Sequence, residues 1–215
     1  MDKKIDINKV KIQLLSGDIS DEVFKKFSSD STLSLDIETS GLDWRSDSVE
    51  TIQIFSKKFN HSVIVKVHKN TSPQNIISLI ENPNIKKLFH HAMFDLRFIV
   101  NNWGVRVNNI GCTKVASKIL FPGESNDFYS LKSLLNRFFQ LEINKKMQMS
   151  DWSGSLSREQ IDYATRDVIY LPMLYTYLYE VCLKYNFKEQ VDMSMNYLPF
   201  RVLTDLRECG DVFTY

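Results

Sequence analysis

The stretch Leu33-Ser-Leu-Asp-Ile-Glu38 alternates apolar and polar residues and then runs into Ser40 and Gly41. A period of two marks a strand, because successive side chains point to opposite faces. Leu33, Leu35 and Ile37 share one face and make this a core strand. Asp36 and Glu38 share the other face, at the carboxyl end, where sites in α/β sheets gather. Two carboxylates on adjacent same-face positions repel each other. Either water screens them, as on any half-exposed strand, or something positive holds them together.

The neighbouring segments supply a sheet for this strand. Residues 48–56 and 61–67 are rich in β-branched side chains and flank the polar Lys57-Lys-Phe-Asn60, the pattern of a hairpin. Ser72-Pro73 opens a helical spacing of apolar residues over 72–82. Residues 86–90 read as a short buried strand, and 92–104 as a helix ending near Gly104. From there the pattern is helical: 113–120, 130–139 after a loop at 121–127, and a helix starting at a Ser157–Gln160 capping box. Pro172 is expected to end or kink that helix, with another running on through 173–185. The stretch 187–209 reads as helical, interrupted at Pro199 and closed by Gly210. Strands with helices before and mostly after them imply an α/β or α+β domain with a mixed sheet. At 215 residues the chain fits one domain, with a helical extension over about 186–215.

Composition removes several classes of function. A net charge of +1 provides no strongly basic footprint, so any nucleic-acid contact must come from a local patch. The pairs Lys57-Lys58, Lys86-Lys87 and Lys145-Lys146 are candidates for that patch or are solvated surface lysines. Cys112, Cys182 and Cys209 are far apart and odd in number, which argues against a disulfide framework or a zinc knuckle. No apolar run approaches membrane-spanning length and the first residues lack a signal-peptide core, so no membrane partner and a cytoplasmic location are expected.

Two further segments carry acids. Asp95 stands near the start of a helix, where the helix dipole favours a carboxylate. Tyr163 and Asp167 are four apart and share a helical face beside the apolar stripe Ile161, Ala164, Val168 and Leu171. Each feature alone has an ordinary structural explanation. Together they provide four carboxylates in three separated segments. If these converge, they raise one another's pKa values unless cations neutralise them. All-oxygen donors suit hard ions such as Mg²⁺ or Mn²⁺ rather than zinc.

Three motifs, Asp36-Ile-Glu-Thr-Ser-Gly-Leu42, His90-His-Ala-Met-Phe-Asp-Leu-Arg-Phe98 and Tyr163-Ala-Thr-Arg-Asp-Val-Ile-Tyr-Leu171, resemble those of the DEDD exonuclease superfamily, in the branch with tyrosine in the third motif. The segments between them look like ribonuclease D, from about residue 30 to about residue 185. The tail is similar to that of short, stand-alone bacterial ribonuclease D-like proteins. The resemblance implies a ribonuclease H-like α/β fold, a mixed five-stranded sheet flanked by helices, in a single 3′–5′ exonuclease domain spanning 1–215. It also implies hydrolysis of the 3′-terminal phosphodiester with two divalent ions, Mg²⁺ or Mn²⁺. Carried onto this chain, Asp36, Glu38, Asp95 and Asp167 are the metal-site acids, and Tyr163 orients the attacking water. The partner the resemblance implies is a single-stranded 3′ end, with RNA the expected substrate. DNA, or binding without catalysis on the same fold, is the alternative.

Thr39, Gly41 and Leu42 follow the acid pair and are candidate contacts to the terminal nucleotide. Leu42 either wedges against a base or packs beside the turn. Phe94, Trp44 and Trp152 are candidate stacking residues or core residues, and Gln148 with Trp152 matches the family's spacer. One departure stands out. The second motif often reads His-Asn-Ala, and here it is His90-His91-Ala92. On a strand these histidines would point to opposite faces, one buried with a hydrogen-bond partner and the other near the cleft. Neither is assigned a catalytic role.

Overall fold

Strand β2 (Thr32–Thr39) is the predicted strand, one residue longer at each end. The computed structural model describes residues 6–143, 147 and 149–214; Lys145-Lys146 and Gln148 lie outside them. Antiparallel to β2 runs β3 (Val49–Ser56), and β4 (His61–Lys66) completes the expected hairpin. On its other side β2 pairs in parallel with β5 (Lys86–Phe89). Two strands that the periodicity did not announce form the edges. Strand β1 (Lys11–Ser16) lies parallel to β4, and β6 (Ile110–Cys112) parallel to β5. Among the described residues the mixed sheet therefore has six strands rather than five, in the order β1-β4-β3-β2-β5-β6. Both additions escape the pattern for physical reasons. Three residues are too few to show a period, and β1 is an edge strand with Ile12 and Leu14 on the outside.

Helices cover both faces. In the first half of the chain these are α1 (Asp21–Ser28), α2 (Gln74–Glu81) and α3 (Ala92–Trp103). In the second half come α4 (Thr113–Leu120), α5 (Leu131–Phe139), α6 (Arg158–Ile169), α7 (Leu171–Lys184) and α8 (Lys188–Leu206). Local signals set the ends. Ser20 and Ser157 accept hydrogen bonds from backbone N–H groups three residues on, and Gln160 completes the capping box on α6. Gly104, with φ of 65°, closes α3 in the left-handed region. Pro172 falls in the first turn of α7, where a missing N–H costs nothing. Pro199 does not interrupt the last helix as expected. It sits inside α8, which buries Val191, Met195, Leu198 and Val202 along one face. That burial outweighs one lost backbone bond.

The alternation on β2 divides the core. Leu33, Leu35 and Ile37 join Val23 and Phe27 of α1, Ile76 and Leu79 of α2, and Leu96 and Ile99 of α3 in one cluster. The polar side of β2 faces α6, which packs across β2, β3 and β4. Among the described residues, no helix is long and apolar enough to cross a membrane. Lys87 is fully buried, its ammonium donating to Asn82 O (2.8 Å) and Asn108 Oδ1 (2.9 Å), so the pair Lys86-Lys87 cannot form a surface patch. Lys57 and Lys58 occupy the β3–β4 turn, at the end of the sheet remote from Asp36 and Glu38.

One buried group makes stability depend on pH. His61 is 1% exposed, lies edge-on to Phe27, and neither ring nitrogen has a hydrogen-bond partner among the described residues. Burial, then the charges of Lys11 and Lys26, lower its pKa to about 4. The unfolded chain takes up this proton from about pH 6.5 downward. Stability is therefore full above that value and falls as the pH drops toward the folded pKa. We expect His61→Leu to lose less stability than the wild type between about pH 7 and about pH 5, read as the shift in urea midpoint. Equal shifts in the two proteins would show that this ring contributes nothing.

Candidate active site

Each acid reaches the site on a rigid element. Asp36 and Glu38 leave the carboxyl end of β2 toward α6, and a register irregularity between Glu38 and Thr39 bends the strand away there. The neighbouring parallel strand β5 ends at the same side. A short turn at 90–91 starts α3 beside it and places Asp95 in the first turn of that helix. Helix α6, lying across the sheet, presents Tyr163 and Asp167 from its next two turns. Carboxylate oxygens of Asp36, Glu38 and Asp167 lie within 4.8 Å of one another. Asp95 is 2% exposed, and its Oδ1 has no hydrogen-bond partner among the described residues.

All of these side chains line one open cleft of about 540 Å³. Thr39, Gly41, Leu42 and Phe94 line it too, so every residue assigned to the site from the sequence meets there. The other two stacking candidates do not. Trp152 is buried, 6.1 Å from the Tyr163 ring between centroids, and Trp44 borders a separate hollow with Arg45, Arg97 and Asp205.

The electrostatics of the cluster are those of buried like charges that raise one another's pKa values. Burial, then Asp95, Asp167 and Glu38, push Asp36 well above the usual carboxylate range. Burial, then Asp167 and Asp95, push Glu38 up to about 9. Asp95 is raised chiefly by burial, with backbone hydrogen bonds opposing. Tyr163 is shifted far upward by burial and then by Asp167, Glu38 and Asp36, so its hydroxyl keeps its proton. Four oxygen donors that repel one another and include an unpartnered buried oxygen suit a hard divalent cation.

The surroundings hold this geometry. Gln160 closes the capping box of α6 and also donates to Ser150 Oγ (3.1 Å) and Asp151 O (2.9 Å), tying a cleft wall to the helix that bears Tyr163. Lys66 bonds the carbonyl of Trp152 and pairs with Glu50 at 3.1 Å. The loop after β2 is closed on itself. Asp47 accepts from the Asp43 N–H (2.8 Å), and Thr39 donates to Gly41 O at 2.5 Å. A Cβ at Gly41 would stand 2.3 Å from Asp47 Oδ2, so a larger residue there would have to displace that carboxylate.

The two histidines differ from expectation. They lie in the turn after β5 rather than on a strand, and both line the cleft. His90 is half-buried and bonds Thr113 Oγ1 at 2.8 Å, whereas His91 is exposed. Lys114 also lines the cleft and was not singled out from the sequence. A signal for it existed: a lysine in the first turn of α4 runs against the helix dipole, a placement with a cost.

Comparisons with known proteins place the chain in a family. The 3′–5′ exonuclease family matches residues 15–182. A mixed sheet with four acids and a tyrosine converging at one strand end is the arrangement expected of DEDD exonucleases, and the chain belongs to the 3′–5′ exonuclease family. It is 36% identical to an exosome complex component 10 homolog of Caenorhabditis elegans over 110 residues, 50% of this chain and 12% of the relative. It is 32% identical to ribonuclease D of Zymomonas mobilis over 101 residues, 46% of this chain and 25% of the relative. The chain thus spans a quarter or less of these relatives. Among solved structures, Brucella melitensis NrnC bound to pGG superposes with a TM-score of 0.87 at 26% identity, covering 96% of this chain and 100% of the other. NrnC has also been seen with bound Mg²⁺, at 25% identity and a TM-score of 0.86.

Gly41→Ala forces the Asp47 carboxylate off the Asp43 N–H and is expected to cost about 0.5–1.5 kcal/mol of stability, the worth of one hydrogen bond. Adding Asp47→Ala removes the clash. The double variant should then be no less stable than Asp47→Ala alone, measured by urea unfolding. Additive losses would place the strain elsewhere.

Proposed function

We propose that this protein is a metal-dependent 3′–5′ exonuclease that removes the 3′-terminal nucleotide of single-stranded RNA and releases nucleoside 5′-monophosphates. The observation that carries this reading is the convergence of Asp36, Glu38, Asp95 and Asp167, from three separate elements, on one open cleft with Tyr163 in its wall. RNA is favoured over DNA because the relatives are named as ribonuclease D and exosome components. The dinucleotide in NrnC favours short oligonucleotides, and the cleft has the scale of a small-ligand site. We read the chain as one exonuclease domain, with its helical C-terminal stretch packed onto α3 and α4.

Asp36, Glu38, Asp95 and Asp167 are assigned as holders of two divalent cations, Mg²⁺ or Mn²⁺. Such ions supply positive charge to the reacting phosphate and lower the pKa of water. The chain's own residues do the rest. Tyr163, held protonated, orients the attacking water by hydrogen bonding and does not act as a base. Glu38 faces the same point and assists. Leu42 is 74% exposed within the cleft, which fits a wedge against a base better than turn packing.

The test is digestion of 5′-labelled single-stranded RNA and DNA with Mg²⁺, with Mn²⁺ and with chelator. A ladder shortening from the 3′ end, faster on RNA and abolished by chelator, is expected. No digestion of either strand would sink the enzyme reading, and a faster DNA ladder would change the substrate. Tyr163→Phe should slow the ladder roughly 100-fold or more while leaving the Mn²⁺-induced rise in Tm intact. Asp36→Asn makes a separate prediction. It relieves repulsion, so the chelator-treated variant should melt above chelator-treated wild type and gain little from Mn²⁺. A lower Tm without metal would contradict the electrostatic account.

A further inference from the structure

The cleft wall that carries Asp95 starts at an unusual backbone. His91 lies in the left-handed region, with φ 68° and ψ 42°, an uncommon conformation for a residue with a side chain, though histidine enters it more readily than most. It precedes α3 at the capping position, yet its side chain makes no capping bond. Instead the ring lies beside Phe94, with centroids 6.4 Å apart and planes 24° from parallel. Both rings line the cleft. Phe94 is half-buried and adjoins Asp95 in sequence, whereas His91 is exposed. Strained backbone in a cleft, carrying a side chain with no cap to make, points to a ligand contact. Partial burial, then the charges of Lys114, Arg97 and Lys118, lower its pKa to about 4, so near neutral pH the ring is flat and uncharged. A ring of that kind offers stacking to a base rather than charge to a phosphate.

We propose that His91 extends the Phe94 ring surface toward the cleft mouth and stacks the base next to the 3′-terminal one, so that the site selects 3′ ends whose last two bases are intact. This rests on the exonuclease reading. The scissile phosphate joins the last two nucleotides and must lie at the acids. Phe94, deeper and beside Asp95, then meets the terminal nucleotide. The strand leaving toward solvent passes His91. Asparagine, frequent at this position in the motif that the chain resembles, tolerates the same backbone but has no ring.

Rapid mixing of the protein and Mn²⁺ with short single-stranded RNA carrying 2-aminopurine at the next-to-last position tests this. Wild type should quench the probe on binding and restore its fluorescence on release. His91→Asn keeps a tolerated backbone, which a thermal melt checks. It should lose most of the quench and raise KM about 5- to 100-fold, the range for one lost base–aromatic stack, with kcat nearly unchanged. RNA lacking that one base should raise the wild-type KM by a similar factor and should make wild type and His91→Asn equal. Unchanged quench and KM in the variant, or an unchanged wild-type KM for RNA lacking the base, overturns the proposal. Digestion without any quench overturns it while leaving the exonuclease reading intact. Quench that His91→Asn abolishes, without digestion, supports the stack and removes the exonuclease reading.

Discussion

Repulsion among carboxylates at the carboxyl end of β2 is the constraint to which the rest of the molecule answers. Glu38 and Asp95 are nearly excluded from water, and each acid faces the others' charge. Such a cluster opposes folding. It persists because the opposite face of the same strand is committed to the core. Leu33, Leu35 and Ile37 are at most 4% exposed and contact three helices through one apolar cluster. Burying three such side chains contributes roughly 1.5–3 kcal/mol each. The strand thus anchors on one side what it destabilises on the other, and the carboxyl groups there can give up protons to a cation.

Convergence then follows from topology. Parallel pairing of β2 and β5 brings their carboxyl ends to one side, so the helix after β5 begins next to the acid pair. Asp95 needs only to fall in the first turn of that helix. Helix α6 must come from elsewhere in the chain and cross the sheet. Ala164 and Val168 seat it, and Gln160 fixes its start to the cleft wall. The spacing of four between Tyr163 and Asp167 then puts both at the cleft from one helix face.

Much of this could be read from the residues. Alternation at 33–38, the capping box at 157–160 and the helical pair 163/167 are local signals, and local signals survive without coordinates. The convergence of the acids was inferred from the conjunction of segments and from family resemblance, since no period spans 36, 95 and 167. Losses occurred where local pattern is weak or tertiary packing decides. The edge strands β1 and β6 show no clear period, and Pro199 is overridden by the buried face of α8. His90 and His91 were placed on a strand because β5 stops one residue sooner than its apolar run implies. Trp152, weighed between stacking and core, is buried in the core.

The C-terminal helix bears on the site through α3 rather than through the cleft. Asp205 of α8 is only 10% exposed at its side chain and sits between Arg97 Nη2 at 2.6 Å and Arg201 Nε at 3.2 Å. Arg97 is two residues beyond Asp95 on the same helix. An exposed ion pair would mean little, but this one is sheltered and shared, and Leu198 and Val202 pack into the α3 cluster beneath it. On the other flank, Asn101 of α3 holds the carbonyl of Trp44 at 2.8 Å, in the loop that carries Leu42. Helix α3 is therefore fixed between α8 and the loop after β2. The helix that carries Asp95 is thus held by ion pairs and packing on one flank and by a hydrogen bond to the loop of Leu42 on the other.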